Sequence, residues 1–237
     1  MLSGKRLSCL LRKYSDISAS SKKLVLSPDV SEAGLTELCE IATEQAWKKC
    51  MHDYKSEFGW QVIYDKYETL IQKKELTHEA GEVRKRQGMI MAPPINVIKF
   101  IKDPLNWKKW NEVCLDCHYL KKLGNFSILY YKLSLSWPVS PREFVLAETV
   151  KELDDGYAYI LKSIDLEIEP QDKDTVRGFM NYAGFIAKHP LQKPDRTELT
   201  YITSIDMKGK IPNPVIKEAH ARRHNALHNV RKYLEEK

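Results

Sequence analysis

The residues most suggestive of chemistry are Cys114-Leu-Asp-Cys117-His118, which have the spacing of a covalent haem attachment site and contain the cysteine pair of redox and zinc motifs. Haem attachment needs both sulfurs near the two vinyl carbons. The setting argues against it, because Val113, Leu115, Cys117 and Tyr119 alternate with Cys114, Asp116 and His118 as in a half-buried strand, where positions three apart point to opposite faces. No second cysteine pair exists to complete a zinc site. His220, His224 and His228 recur every fourth residue on a terminal helix, so neighbours could bind a metal in pairs, but no His-Glu-x-x-His arrangement accompanies them. Beside Lys217, Arg222, Arg231 and Lys232 they read as the basic, polar face of an amphipathic helix. There is no Gly-x-Ser-x-Gly, no glycine-rich phosphate loop and no dinucleotide fingerprint, with only ten glycines in the chain. The expectation is a protein without catalytic residues, cofactor or metal.

The elements around the cysteines point elsewhere. Leu129, Tyr131, Leu133 and Leu135 alternate with Tyr130, Lys132, Ser134 and Ser136, and Lys122-Leu-Gly-Asn125 supplies the turn of an antiparallel hairpin with one dry and one wet face. Trp137-Pro138 ends that strand and Ser140-Pro141 turns the chain into a third, beginning near Arg142. Further strands are predicted over 60–64, 66–77, 82–91, 145–153, 157–166, 175–187 and 199–207. Helices are predicted from Ser31 to Asp53, from Ile95 to Ile101 and from Asn213 to Glu235. On the last, Ile216, Ala219, Arg223, Leu227, Val230 and Leu234 form one stripe.

Four segments in this order resemble the START domain, the lipid-transfer domain related to the steroidogenic acute regulatory protein. They are Asp103-Pro-x-x-Trp107-x-x-Trp110-Asn111, Ser136-Trp-Pro-Val-Ser-Pro-Arg-Glu-Phe144, Val176-Arg-Gly-Phe-Met-Asn-Tyr182 with Gly184 behind it, and Ser204-Ile-Asp-Met-Lys-Gly209-Lys-Ile-Pro212 before the terminal helix. The resemblance spans about Trp60 to Glu236. It implies an α+β helix-grip fold, in which a curved antiparallel β-sheet wraps round a long C-terminal helix and encloses an internal lipid tunnel. Residues 31–237 would form this domain, behind a basic, serine-rich tail at 1–30.

A lipid carrier must enclose its cargo, because exposing a chain of roughly sixteen carbons to water costs on the order of 13 kcal/mol. Leu129, Tyr131, Leu133, Leu135, Phe144, Leu146, Tyr201, Thr203 and Ile205 offer one apolar sheet face, and Ile216, Ala219, Arg223 and Leu227 offer a helix stripe to close it. Periodicity alone fits a packed core equally well. Phosphatidylcholine-binding relatives use an Arg and an Asp around their Trp-Asp motif, where the matching positions here, Trp107 and Asn111, carry no charge. The resemblance adds Trp110 and Asn111 to the lipid-binding set, with Tyr131, Phe144 and Tyr182 at the places of a choline cage. Val176-Arg-Gly-Phe looks more like the sterol-binding members. The expected partner is therefore one sterol or phospholipid, not nucleic acid. An enzyme of the same architecture, a cyclase or a protein associated with acyl-thioester chemistry, is the rival class, and a basic interaction module with a filled core is a third.

The net charge of +6 favours anionic membrane surfaces, and 43% hydrophobic content with no apolar run near ~20 residues describes a water-soluble chain. Membrane contact would come through Trp137, Pro138 and Val139 and the basic terminal helix, whose histidines would strengthen docking as they protonate in mild acid. Five cysteines, an odd number, suggest free thiols in a reducing compartment. Residues 1–28 carry Lys5, Arg6, Arg12, Lys13, Lys22 and Lys23 against one acid, Asp16. The expected site of action is cytoplasmic with transient membrane association, or mitochondrial if residues 1–14 are a presequence.

Overall fold

The computed structural model describes residues 31–76, 82–166, 174–190, 193 and 195–235. The expectations for the N-terminal tail and its possible presequence lie outside them. Helix α1 (Glu32–Lys55) begins at Ser31, whose hydroxyl accepts from the Gly34 amide. Three strands follow, β1 (Gln61–Lys66), β2 (Thr69–Glu75) and β3 (Glu82–Ile90), then α2 (Pro94–Lys102) with proline in its first turn and the short α3 (Trp107–Trp110). The remaining strands are β4 (Cys114–Leu123), β5 (Phe126–Leu133), β6 (Arg142–Leu153), β7 (Gly156–Ser163), β8 (Val176–Arg177), β9 (Phe179–Lys188) and β10 (Thr197–Asp206). The chain then enters α4 (Asn213–Arg222) and α5 (Ala226–Glu235).

The strands form one sheet in the order β1-β2-β3-β10-β9-β7-β6-β5-β4, with antiparallel neighbours and the two-residue β8 parallel to β6. Both faces are covered. On the outer face α1 lays Leu35, Leu38, Cys39 and Ala42 against Ile128, Val145 and Ala147, and Ala46 and Cys50 against Ile160, Tyr182 and Ile202. The expected wet side of the first hairpin is thus covered in part, with Ile128 and Tyr130 buried while His118 stays exposed, because a continuous i, i+3, i+4 stripe on α1 needs an apolar partner. Gly184 permits the approach, since a Cβ there would lie 2.2 Å from the Cys50 sulfur.

On the inner face α2, α3 and α5 pack Val97, Ile98, Ile101, Trp107, Trp110, Leu227 and Val230 against Leu129, Tyr131, Leu146, Tyr159 and Phe185. Two features depart from simple periodicity. A bulge between Cys114 and Asp116 shifts β4, so Cys114 and Cys117 are both buried while Leu115 is exposed. The terminal helix is interrupted at residues 223–225, where the Arg223 and His224 amides bond to the carbonyls of His220 and Ala221 in tighter three-residue turns.

Candidate functional site

A cavity of about 840 Å³ lies beneath α4, between the exposed ends of β2 and β3, the end of β10 and the connection from β10 to α4. Period-2 alternation sends Thr203 and Ile205 of β10 inward, and the pairing of Thr203 with Arg84 places the β3 arginine beside them. Leu135, Ile211, Ile216, Ala219, His220 and Arg223 complete much of the wall. Of the lining expected from sequence, Leu135, Thr203, Ile205, Ile216, Ala219 and Arg223 border this space.

The other expected lining residues are elsewhere. Trp110, Leu129, Tyr131, Leu133, Phe144, Leu146, Tyr201 and Leu227 belong to the close-packed inner core. Aromatic side chains fill it against one another. Trp107 meets Tyr131 edge-on at 4.8 Å, Tyr131 stacks on Phe144 at 5.7 Å, and Phe185 stacks on Tyr201 at 4.0 Å. Asn111 is buried and donates to the Tyr131 hydroxyl. Tyr182 is a correction: it points to the outer face and hydrogen-bonds Asp53 of α1, while its neighbours Ala183 and Phe185 take the inner positions. The alignment by one residue matters because each step along a strand changes face.

The electrostatics of the inner end are those of a donor surplus. Arg84 pairs with Glu82, and His220 Nε2 stands 3.2 Å from Glu82 Oε1. Arg223, only 7% exposed, has Nη2 3.5 Å from the Tyr131 hydroxyl. Arg86, 1% exposed, lies with its guanidinium carbon 5.3 Å from the centre of the Tyr201 ring. Its Nε and Nη1 have no hydrogen-bond acceptor among the described residues, nor does Trp110 Nε1. Burial, and the charges of Arg223 and Arg84, bring the Arg86 guanidinium down to about 10 despite the Tyr201 hydroxyl.

Burial, then the same arginines, also holds His220 far below the ordinary histidine value and His224 at about 4. These two are not part of a solvated basic face that protonates in mild acid; only His228 on that stripe is exposed. The rest of the expected basic face is also reduced. Arg231 donates to the carbonyls of Met89, Tyr67 and Glu68, and Arg222 to that of Glu112. The cysteine pair needs a different account from the one its spacing suggested. The bulge puts both thiols on the inner side, where burial first of all raises Cys114 to about 12 and Cys117 further. His118 faces outward and sits 3.2 Å from Asp116.

Trp137 is 92% exposed on the β5–β6 loop, with Pro138 exposed and Val139 half-buried beside it. Arg142 ties this loop to the cavity rim, its Nε donating to the Met207 carbonyl at 2.7 Å and its Nη2 to that of Lys208 at 3.1 Å, while Nη1 donates to the Ser140 carbonyl. Sequence reasoning missed Glu82, Arg84 and Arg86. The available signal was parity, because Arg84, Arg86 and Gly88 share a face with Ile90, an obvious core residue.

The START domain model matches residues 40–236. Steroidogenic acute regulatory protein of Xenopus laevis is 24% identical over 208 residues, which cover 83% of this chain and 72% of that protein. StAR-related lipid transfer protein 6 of Homo sapiens is 22% identical over 167 residues, covering 68% and 74%. Among solved structures, human StAR-related lipid transfer protein 5 superposes with a TM-score of 0.76 at 18% identity, over 84% of this chain and 98% of that one. The shared fold is the α+β helix-grip arrangement, a large curved antiparallel sheet with a C-terminal helix across it.

Proposed function

The chain belongs to the START domain family, and from that premise we propose that it carries one lipid, a sterol or a phospholipid, in the cavity beneath α4 and exchanges it at membranes. The observation that carries this reading is the cavity itself, of about 840 Å³, where Leu135, Ile205, Ile211 and Ile216 share the lining with Arg84, His220, Arg223 and further charged side chains, among them Lys73, Glu75, Glu82 and Asp206. That volume is within the range of about 300–1,000 Å³ typical of small-molecule sites. A lining that mixes apolar and charged side chains suits an amphiphile. Relatives whose names describe lipid transfer support the same conclusion.

Delivery would use the Trp137-Pro138-Val139 tip at an anionic membrane, followed by outward movement of α4 and α5, for which the break at residues 223–225 is a hinge. We place this activity in the cytoplasm, or in mitochondria if residues 1–14 are a presequence. Among the described residues no helix is long and apolar enough to cross a membrane. The enzyme reading has one observation in its favour, the Glu82–His220 pair on the cavity wall. Burial and the surrounding arginines make His220 a poor proton acceptor near neutral pH, so a carrier fits better. Extraction of protein-bound lipid and its identification by mass spectrometry tests both readings: a carrier returns the supplied lipid unchanged, and a chemically altered product would favour the enzyme.

A further inference from the structure

Among the described residues, Arg86 is a buried cation without an evident partner. A guanidinium that is 1% exposed, with Nε and Nη1 lacking acceptors, is costly unless something negative meets it. Its strand partner is Tyr201, and the next inward-facing pair on the same two strands, Arg84 and Thr203, already lines the cavity. Arg86 does not itself line that space but lies one inward-facing step along β3 from Arg84, close enough to Arg84 and Arg223 for their charges to lower its own proton affinity. Arg223 enters from the opposite side, at the helix interruption. Glu82 is shared by Arg84 and His220, while the other carboxylates that line the cavity, Glu75 and Asp206, are accompanied by Lys73, Lys208 and Lys217. Leu135, Ile205, Ile211 and Ile216 supply apolar surface elsewhere on the wall, interspersed with charged side chains such as Lys73, Glu75 and Asp206.

We propose that the inner end of the cavity is an oxyanion site, where Arg86 and Arg223 hold the carboxylate or phosphate of a single-chain amphiphile whose hydrocarbon lies along Leu135, Ile205, Ile211 and Ile216. The ligand enters head first. Planar guanidinium groups suit either oxyanion, because both present paired oxygens to the fork of donors. This assignment rests on the carrier reading and sharpens it, away from an uncharged sterol and toward an acidic lipid.

The test is isothermal titration of the full chain, delipidated, with oleate, lysophosphatidate bearing the same acyl chain, oleyl alcohol, cholesterol and inorganic phosphate. Oleate, lysophosphatidate or both should bind at least tenfold tighter than oleyl alcohol, and whichever is tighter identifies the oxyanion. Arg86→Met and Arg223→Gln should each bring the preference over oleyl alcohol close to one. Arg86→Met should also melt no lower than the parent protein, because it removes an unpaired buried charge, and oleate should raise its Tm far less. Equal affinity for oleate and oleyl alcohol would overturn the oxyanion site while leaving the carrier standing. Inorganic phosphate binding as tightly as the lipids would overturn the amphiphile. Failure of these lipids and of cholesterol to bind at all would remove the carrier reading itself.

Discussion

Asn111 Nδ2 donates to the Tyr131 hydroxyl at 2.9 Å, joining the end of the Trp107–Trp110 helix to the middle of β5 inside the core. Arg223 reaches the same oxygen from the terminal helix at 3.5 Å. One phenol thus serves two buried donors from different elements. Tyr131→Phe should lower stability by about 1–3 kcal/mol, because both donors lose an acceptor, and Asn111 lies buried in the core. Urea unfolding measures the loss. A double-mutant cycle with Asn111→Ala should be non-additive, and simple additivity would show that the contact is not shared.

Tyr182 has a different role. Its hydroxyl donates to Asp53, which Lys74 also approaches at 3.2 Å, so the tyrosine fastens β9 to α1 on the outer face. Tyr182→Phe should cost on the order of 1–3 kcal/mol in unfolding experiments yet leave lipid affinity within about twofold. A large affinity loss without a stability loss would return Tyr182 to the ligand site.

Glu148 is 1% exposed on β6, bonded by the Tyr159 hydroxyl, and burial raises its carboxyl from 4.5 to about 7 in spite of those hydrogen bonds. The folded protein therefore retains a proton that the unfolded chain loses near pH 4.5. This group's contribution is complete below about pH 4.5, falls as pH rises to about 7, and is flat beyond, a change on the order of 3 kcal/mol. Glu148→Gln should remove that slope, as followed by denaturation midpoints between pH 5 and 8. An unchanged slope would place the titration elsewhere.

The large elements were legible because each rests on a period: Leu129, Tyr131 and Leu133 share a face at every second residue, and α1 shows an unbroken stripe from Leu35 to Cys50. What alternation cannot show is a local extra residue, and the bulge after Cys114 reversed the geometric reason for setting aside the cysteine pair. Nor can it tell a lined cavity from a packed core. Phe144 and Leu133 proved to be packed, while Thr203 and Ile216 border space. Arg84 and Arg86 went unremarked because nothing in a single strand reveals that helices cover it.

Membrane docking should depend on Trp137 and not on His220 or His224. With Trp137 almost wholly exposed, Trp137→Ala should weaken association with anionic vesicles by about ten- to a hundredfold in a flotation assay, since about 1.5–3 kcal/mol of apolar burial is lost. His220 and His224 stay largely neutral at pH 5.5, because their folded values are depressed. Their titration instead makes the fold less stable as pH falls below about 6.5, where the unfolded chain takes up protons first. Replacing both by Gln should flatten that acid limb without changing vesicle binding at pH 5.5.

The space beneath α4 should hold one lipid. Ile216 lines it and is only half-buried, so Ile216→Trp adds bulk to the cavity while sparing the packed core. Native mass spectrometry after incubation with a mixed lipid extract reads the outcome directly. The account predicts one bound lipid per chain for the parent protein and at least a fivefold drop in occupancy for Ile216→Trp at nearly unchanged Tm. A lipid-free parent protein, or full occupancy in the Ile216→Trp variant, would contradict it.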